Sequence, residues 1–334
     1  MKFRTEFAIP KMPFPITHQH RLLLIGSCFT ENIGEKLRQH KFSVLENPNG
    51  ILFNPTSVCE ALHNYCTNKS INQNALFQYN EAWHSWQHHS RFSGLQAIET
   101  IEKINTSTRN AHQYLGQADV LFITLGSAWV YELTNQAINH TLQKVAANNH
   151  KAPANWFTKR LLNAAEVIEQ FKSTLAQIWQ FNPQLKVVFT ISPVRHLREG
   201  AVENNRSKAV LIQSVHTLAE LYPEHIYYFP AYELVIDDLR DYRFYAEDLV
   251  HPNYYATTYV WEKLIDACID SQTAILMQAI ADIRTAANHK AFNPHSQQHA
   301  IFVRKYLEKI KALQSKHPYL AFENEISLLT NNHK

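Results

Sequence analysis

Five short runs of apolar residues alternate along the chain with longer segments whose apolar residues recur at every third or fourth position. Each run is rich in Leu, Ile, Val or Phe and is bounded by polar or turn residues, which is typical of buried parallel strands. The predicted strands are Arg21–Gly26, Phe42–Leu45, Val120–Leu125, Lys186–Ile191 and His225–Phe229.

The segments between these runs have the apolar spacing of amphipathic helices. Thr30 is a plausible N-cap for the first of them. The predicted helices are Thr30–His40, Thr56–Cys66, Leu161–Gln180 and Ser207–Leu221. Strands that alternate with helices indicate a parallel sheet covered on both faces. The sequence therefore predicts an α/β fold, a three-layer αβα sandwich.

Two long connections interrupt this alternation. Residues Phe77–Gly94 are rich in aromatic residues and His, and residues Val130–Trp156 contain a predicted hairpin around Asn135. Long connections in compact domains often form functional sites. We therefore expect both segments to lie near the site.

The last part of the chain shows helical spacing but no candidate chemistry. Two helices are predicted there, separated near Phe292–Pro294. We accordingly expect a main domain over residues 1–270 and a helical extension over residues 271–334 that packs on it.

The composition is that of an ordinary globular protein and excludes several classes of function. Of the 334 residues, 45% are hydrophobic and 18% are charged, and 32 basic residues face 29 acidic ones without a cationic run. A nucleic-acid partner is therefore not expected. No secretory signal and no apolar stretch of membrane-spanning length is present, so we expect a cytoplasmic protein without a membrane partner.

A serine stands where the first predicted strand meets the first predicted helix. Gly26 and Ser27 end the strand run, and ligands of open α/β sheets bind beyond the carboxyl ends of the strands. A helix N-terminus at this point offers N–H groups to a developing oxyanion. An ordinary N-cap serine is the alternative reading.

A second motif follows the fifth predicted strand. Asp248 and His251 are three residues apart, and Pro252 restricts the backbone directly after the histidine. This spacing allows a carboxylate to orient an imidazole, and a serine hydroxyl needs such a base. Together with Ser27 these residues predict a catalytic triad.

At this point the sequence resembles the GSCFA family of the SGNH/GDSL hydrolase superfamily over roughly residues 1–265. The matching strings are IGSCFTENIG (25–34), NPNGILFNP (47–55), SWQHHSRFS (85–93), ITLGSAWVY (123–131), SPVRH (192–196) and FPAYELVIDDLRDYRFYAEDLVHPN (229–253). The resemblance implies a flavodoxin-like fold with a five-stranded parallel sheet. It also implies ester or acyl-group chemistry without a metal or an organic cofactor.

The resemblance also assigns roles to individual residues. Ser27 takes the position of the nucleophile, Asp248 that of the orienting acid and His251 that of the base. Gly50 matches the glycine whose backbone N–H, with that of Ser27, helps to form the oxyanion hole.

The superfamily's third oxyanion donor is an Asn in a Gly-x-Asn string, and this chain lacks it. The corresponding loop reads Gly126-Ser127-Ala128-Trp129. We expect the missing donor to come from Ser127 or its backbone, from Asn54, or from Trp129. One missing donor lowers turnover by about two to three orders of magnitude.

Cys28 is an alternative nucleophile, because a thiol at a helix N-terminus can have a lowered pKa. Successive side chains point in different directions, however, so one base serves only one of them well. We expect Ser27 to react and Cys28 to turn inward beneath the helix.

Other residues have two readings each. His84, His88 and His89 have spacings that could bind a metal, but an aromatic loop over the pocket with one His, such as His89, at the substrate is favoured. Arg195 and His196 follow the fourth predicted strand at its carboxyl end, where Arg195 suits either a substrate anion or a structural ion pair with an acid of Asp237–Asp241.

Two aromatic residues complete the candidate pocket. Tyr245 precedes the Asp248 motif and could line the pocket, whereas Trp129 is either a core residue or a stacking surface for the ligand.

The first hypothesis is therefore an esterase or acyltransferase that acts on a small or carbohydrate O-acyl ester through an acyl-Ser27 intermediate. The second is a binding module that keeps the pocket but has lost efficient catalysis. The missing Asn favours the second hypothesis, and the Ser27, Asp248 and His251 set favours the first.

Overall fold

The computed structural model describes residues 4–139, 144–290 and 292–331. Its strands are β1 (Arg21–Gly26), β2 (Ser43–Glu46), β3 (Phe77–Tyr79), β4 (Ala82–His84), β5 (Val120–Leu125), β6 (Trp129–Leu133), β7 (Phe157–Leu161), β8 (Lys186–Ile191) and β9 (Ile226–Tyr228). Five of them form a parallel sheet in the order β2-β1-β5-β8-β9. The predicted five-stranded α/β fold is confirmed.

Helices cover both faces of this sheet. They are α1 (Cys28–Gln39), α2 (Pro55–Thr67), α3 (Ala97–Leu115), α4 (Ala164–Phe181), α5 (Ala201–Leu221), α6 (Ala231–Glu233), α7 (Tyr254–Cys268), α8 (Ser271–Ala287), α9 (Gln297–Lys316) and α10 (Glu323–Asn331). None of the described helices is long and apolar enough to cross a membrane.

Strand β1 shows why the core has two halves. Leu22 and Leu24 point to the face covered by α1 and α7, and Leu23 and Ile25 point to the face covered by α2, α3, α4 and α5. All four side chains are buried because a central parallel strand is covered on both sides. This burial explains why an unbroken apolar run identified the strand.

Three helices differ from the prediction. Helix α1 begins at Cys28 with Ser27 at its N-cap position, so Thr30 is a helical residue and not the cap. Helix α3 was not predicted, because polar residues interrupt its buried positions. Helix α5 begins at Ala201, six residues before the predicted start at Ser207.

The two long connections form small antiparallel units. Strands β3 and β4 pair as a hairpin, and β6 pairs with β7. The predicted hairpin around Asn135 corresponds in part to a bridge between Glu132 and Val145. The segment between these two residues includes positions 140–143, which lie outside the described residues.

The C-terminal part contains three helices where two were predicted, with positions 292–294 between α8 and α9. They share a small apolar core that includes Ile283, Val303 and Phe322. Lys41, just after α1, pairs with Glu325 of α10 and thereby attaches this part to the sheet domain.

Gly26 closes β1 in a conformation that only glycine adopts easily. Its φ is +141°, and a Cβ at this position would overlap the carbonyl oxygen of Thr124 on β5. Its N–H donates to Asn47 Oδ1 at 2.9 Å, and its carbonyl accepts from Leu52 N. The chain can therefore turn from strand into helix without a gap.

We predict that Gly26→Ala lowers the free energy of unfolding by about 3–5 kcal/mol, because a positive φ and a backbone overlap act together. Denaturant unfolding measures this loss. Gly200→Ala is the matched control, since Gly200 has φ +91° but no atom within 4 Å of the place that a Cβ would occupy. This control should lose only about 1–2 kcal/mol, and equal losses for both variants would contradict the steric account.

Candidate active site

A cavity of about 650 Å³ opens at the carboxyl edge of the sheet. Residues from the loops after β1, β5 and β8 line it together with the loop before α7. The lining side chains relevant to chemistry are Cys28, Asn54, Ser127, Trp129, Arg195, His196 and His251. Such a place in an open α/β sheet is the expected position of a ligand site.

The structure places Ser27 and Cys28 the opposite way round from our expectation. Cys28 is partly exposed and lines the cavity beside His251, so the prediction that it turns inward is wrong. Ser27 is fully buried, and its Oγ has no hydrogen-bond partner among the described residues. Ser27 does not line the cavity that contains His251.

Backbone geometry explains this reversal. Ser27 continues the strand, because its N–H donates to Thr124 O on β5 at 3.1 Å. Cys28 is already the first residue of α1. The turn at Gly26 therefore directs the side chain of Cys28, and not that of Ser27, toward the cavity.

The Cys28 thiol lies at the N-terminus of α1. Burial has the largest effect on the Cys28 thiol and raises its pKa, and the charge of Glu31 raises it further. The backbone N–H groups of Cys28 and Phe29 and the Lys208 ammonium lower the pKa by less. The pKa of Cys28 is consequently raised above its ordinary value. The sulfur is thus a neutral thiol at neutral pH and needs a base to react.

His251 and Asp248 form a hydrogen-bonded pair. His251 Nδ1 lies 2.7 Å from Asp248 Oδ2, and Asp248 Oδ1 accepts from the backbone N–H groups of Val250 and His251. The bonds from the His251 backbone and ring, followed by that from Val250, lower the pKa of Asp248 to about 2. An ionised Asp248 holds the proton on Nδ1 and leaves Nε2 of the ring to act as a base.

Arg195 lies beside this pair. Its backbone N–H donates to Val250 O at 3.2 Å, and its guanidinium lies over the rings of Tyr242 and Tyr245. In the described part of the chain Arg195 forms no ion pair with an acid of residues 237–241, one of its two predicted roles, since Asp237 pairs with Arg240 and Asp241 with Arg243. Its other predicted role, at a substrate anion, stays a prediction.

Tyr245 and His89 do not line the cavity. Tyr245 is buried beneath Arg195, and burial raises the pKa of its phenol. His89 lies against Gly50, where its Nδ1 accepts from Arg91 N. The ring of His89 therefore lies against the turn at Gly50 and outside the cavity, and its expected contact with a substrate stays a prediction.

His84 and His88 are also held in structural roles. His84 bonds to Ser93 and to the carbonyl of Tyr79, and His88 bonds to Ser85. In the described part of the chain no group of three or more His, Cys, Asp or Glu side chains could hold a metal ion.

Most of the expected oxyanion donors are already bonded within the protein. Gly50 N donates to Asn47 O at 2.7 Å, and Ser27 N is bonded to β5 as described above. Gly126 N and Ser127 N both donate to Phe53 O. These four amides therefore do not point to a substrate in this structure, because their hydrogen bonds hold the site's loops together.

Asn54 is different. It is the N-cap of α2, where its Oδ1 accepts from Ser57 N at 2.8 Å. This bond fixes the orientation of the amide, so its NH₂ group is the part available to the cavity that Asn54 lines. At the start of α1, Cys28 N offers a second donor of the kind that an oxyanion needs.

The remaining predicted pocket residues line the cavity or lie directly beneath it. Trp129 lines it, donates from Nε1 to Glu203 O and has the Lys159 ammonium 4.0 Å from its ring centroid. His196 lines it and packs edge-on against Phe53. Gly126 lies behind Phe53 and His196, and a Cβ at this position would come within 3.1 Å of Phe53 and 3.2 Å of His196.

Lys208 is a functional candidate that the sequence reasoning missed. It is 1% exposed, and its Nζ donates to Gly126 O and Ser192 O at 2.7 Å each, which ties together the ends of β5 and β8. Burial lowers the pKa of Lys208 to about 7, and the coupling to Cys28 opposes that shift. The sequence contained a signal for this residue, because Lys208 lies on the same face of α5 as the buried apolar residues Leu211 and Val215.

Comparisons with known proteins agree with this architecture. The model of the GSCFA family matches residues 21–264, and that of the GSCFA domain protein, C-terminal domain, matches residues 280–333. A search of curated proteins with this sequence finds no significant match.

The solved structures to which the chain is similar include two esterases. A carbohydrate esterase family 3 protein from Talaromyces cellulolyticus is 9% identical, with a TM-score of 0.35 over 79% of this chain and 99% of the other. An acetyl esterase mutant solved with an acetate ion is 10% identical, with a TM-score of 0.34 over the same shares. At these TM-scores the similarity supports no inference about the chemistry of this chain.

We predict that iodoacetamide alkylates Cys28 in the native protein at a rate that rises about tenfold per pH unit from pH 6.5 to 8.5. The raised pKa keeps the thiolate a small fraction over this range, and the thiolate is the reacting form. Peptide mass spectrometry measures the rate at each cysteine.

Cys59 serves as the internal control, because it is buried and burial raises its pKa to about 12, so it should stay unmodified. A rate at Cys28 that is already constant at neutral pH would contradict the raised pKa. Complete protection of Cys28 would contradict its place on the cavity.

Proposed function

The chain belongs to the GSCFA family, and from that premise we propose that it cleaves or transfers acyl groups of esters through a covalent acyl-enzyme. The observation that carries the proposal is one cavity lined by a thiol at a helix N-terminus and by a histidine paired with Asp248. A nucleophile, a base and an orienting acid are the set that acyl transfer needs.

We assign the nucleophile to Cys28. Its side chain shares the cavity with His251, whereas the Ser27 hydroxyl is buried and outside it. Sulfur is also the stronger nucleophile of the two. Ser27 then serves as the residue that continues β1 into α1, and a serine-dependent enzyme becomes the alternative that the experiment below decides.

The reaction follows in two steps. His251 Nε2 takes the proton from Cys28 as the sulfur attacks the ester carbonyl, and the C–O bond then breaks as the leaving alkoxide takes that proton. In the second step His251 removes a proton from water or from an acceptor alcohol, whose oxygen attacks the thioester. The C–S bond breaks, and the thiolate regains the proton.

Two donors are placed to stabilise the tetrahedral oxyanion. Cys28 N lies at the start of α1, where the helix dipole favours negative charge. The Asn54 amide NH₂ group lies across the same cavity. In this proposal Asn54 replaces the asparagine that the loop after β5 lacks.

The test is hydrolysis of 4-nitrophenyl acetate by three variants. Cys28→Ala and His251→Gln should each lower kcat/KM by about 10³-fold or more, because each removes a group that acts in the transition state. Ser27→Ala should keep kcat/KM within about twofold of the native value and should be about as stable as the native protein. The Ser27 hydroxyl has no hydrogen-bond partner to lose among the described residues.

The opposite pattern would contradict the assignment. Loss of turnover in Ser27→Ala with normal turnover in Cys28→Ala would make Ser27 the nucleophile. If the native protein hydrolyses no acyl ester faster than Cys28→Ala does, the result would contradict any catalytic role and favour the binding module.

We further predict that Asn54→Asp lowers kcat by about 10²-fold while the melting temperature changes by less than about 2 °C. Asp keeps the N-cap acceptor for α2 but has no N–H to donate to an oxyanion. Turnover of an acyl ester and thermal unfolding measure the two effects.

Asn163→Asp is the matched control, because Asn163 caps α4 with the same acceptor geometry and does not line the cavity. It should leave both quantities unchanged. Full turnover in Asn54→Asp would show that the oxyanion hole lies elsewhere.

A further inference from the structure

The cavity at Cys28 continues into a second chamber of about 570 Å³. The two volumes share four lining residues, which are Tyr131, Asn148, Asn149 and Arg198. They therefore form one cleft that leads from the reacting groups toward the hairpin of β6 and β7. A substrate longer than its acyl group has room to extend along it.

The charged side chains that the structure describes along this cleft are basic. Arg195 and Arg198 line the first chamber, and Lys151 and Lys159 line the second with Arg198. No Asp or Glu lines either chamber among the described residues. The whole chain is nearly balanced, with 32 basic and 29 acidic residues, so this excess is local to the cleft.

The two arginines are not neutralised by carboxylates. Among the side chains that the structure describes, no Asp or Glu lies within ion-pair distance of Arg195 or Arg198. The nearby Glu203 pairs with Arg206, one turn along α5. The Arg195 guanidinium is positioned by aromatic rings instead, at 4.5 Å from the centroid of Tyr245.

This arrangement fits an anion. The Arg195 guanidinium is stacked on Tyr242 and Tyr245, and carboxylate and phosphate oxygens match the N–H fork of a guanidinium. A cleft with one sign of charge also concentrates ligands of the opposite sign. Arg195 N donates to Val250 O, and this bond holds the backbone that carries the guanidinium against the residue before His251.

Resting on the proposed acyl chemistry, we propose that the substrate is an acyl ester that also carries an anionic group, a carboxylate or a phosphate. The ester lies at Cys28 and His251, and the anion binds Arg195 and Arg198 where the two chambers meet. Lys151 of the second chamber extends the same positive field.

The kinetic test compares esters that differ only in charge. 4-Acetoxybenzoate, 4-acetoxyphenyl phosphate and the neutral methyl 4-acetoxybenzoate are assayed, and each rate is divided by the ester's rate of hydroxide hydrolysis. The native protein should favour at least one anionic ester by about tenfold or more. Whichever anionic ester is favoured identifies carboxylate or phosphate as the better ligand.

The preference should depend on Arg198 and on salt. In Arg198→Gln the ratio of kcat/KM for the anionic ester to kcat/KM for the neutral ester should fall about tenfold. In the native protein, about 0.5 M NaCl should also lower this ratio, because salt at that concentration screens charges strongly. Arg109→Gln is the control, because Arg109 lies on α3, outside the cleft. It should keep the native ratio.

A binding arm separates this inference from the proposed function. Calorimetry on Cys28→Ala measures binding of benzoate and phenyl phosphate against benzyl alcohol, with and without Arg198→Gln. Anion binding that Arg198→Gln weakens supports the anion site even if no ester is turned over. Turnover of esters without charge preference, together with no anion binding, would overturn the inference and leave the acyl chemistry intact.

Discussion

The close approach of Gly26 to β5 is the constraint on which the site depends. Without a Cβ, Gly26 packs against the Thr124 carbonyl at φ +141°, and α1 can begin two residues later at Cys28. The side chain of Ser27 is thereby directed into the protein and that of Cys28 into the cavity. A looser junction would separate the helix N-terminus, with the Cys28 amide, from the edge of the sheet.

A second buried group keeps the neighbouring strands in place. Lys208 reaches from α5 to the carbonyls of Gly126 and Ser192, directly after β5 and β8. A buried ammonium is costly unless its protons are bonded, and two carbonyls bond two of the three. Its charge also acts on Cys28, since it favours the thiolate that burial disfavours. The strand ends and the Cys28 thiol thus interact with the same side chain.

The sequence was sufficient for the sheet, because strands buried on both faces leave unbroken apolar runs. The bounds of β1, β5 and β8 were predicted to the residue. It was not sufficient for the direction of Ser27 and Cys28, which depends on the φ of Gly26 and on one hydrogen bond to Thr124. Gly50 N was assigned to an oxyanion hole and Ser127 N was one candidate for its third donor, but their acceptors, Asn47 O and Phe53 O, become visible only when the loops are folded.

The most direct test of the account is to trap the acyl-enzyme. The protein is mixed with 4-nitrophenyl acetate, quenched in acid within the first turnover and digested, and the peptide that contains residues 27 and 28 is sequenced by mass spectrometry. The account predicts an acetyl group on the Cys28 sulfur, present in Ser27→Ala and absent in His251→Gln. An acetyl group on the Ser27 oxygen, or one that His251→Gln does not affect, would contradict it.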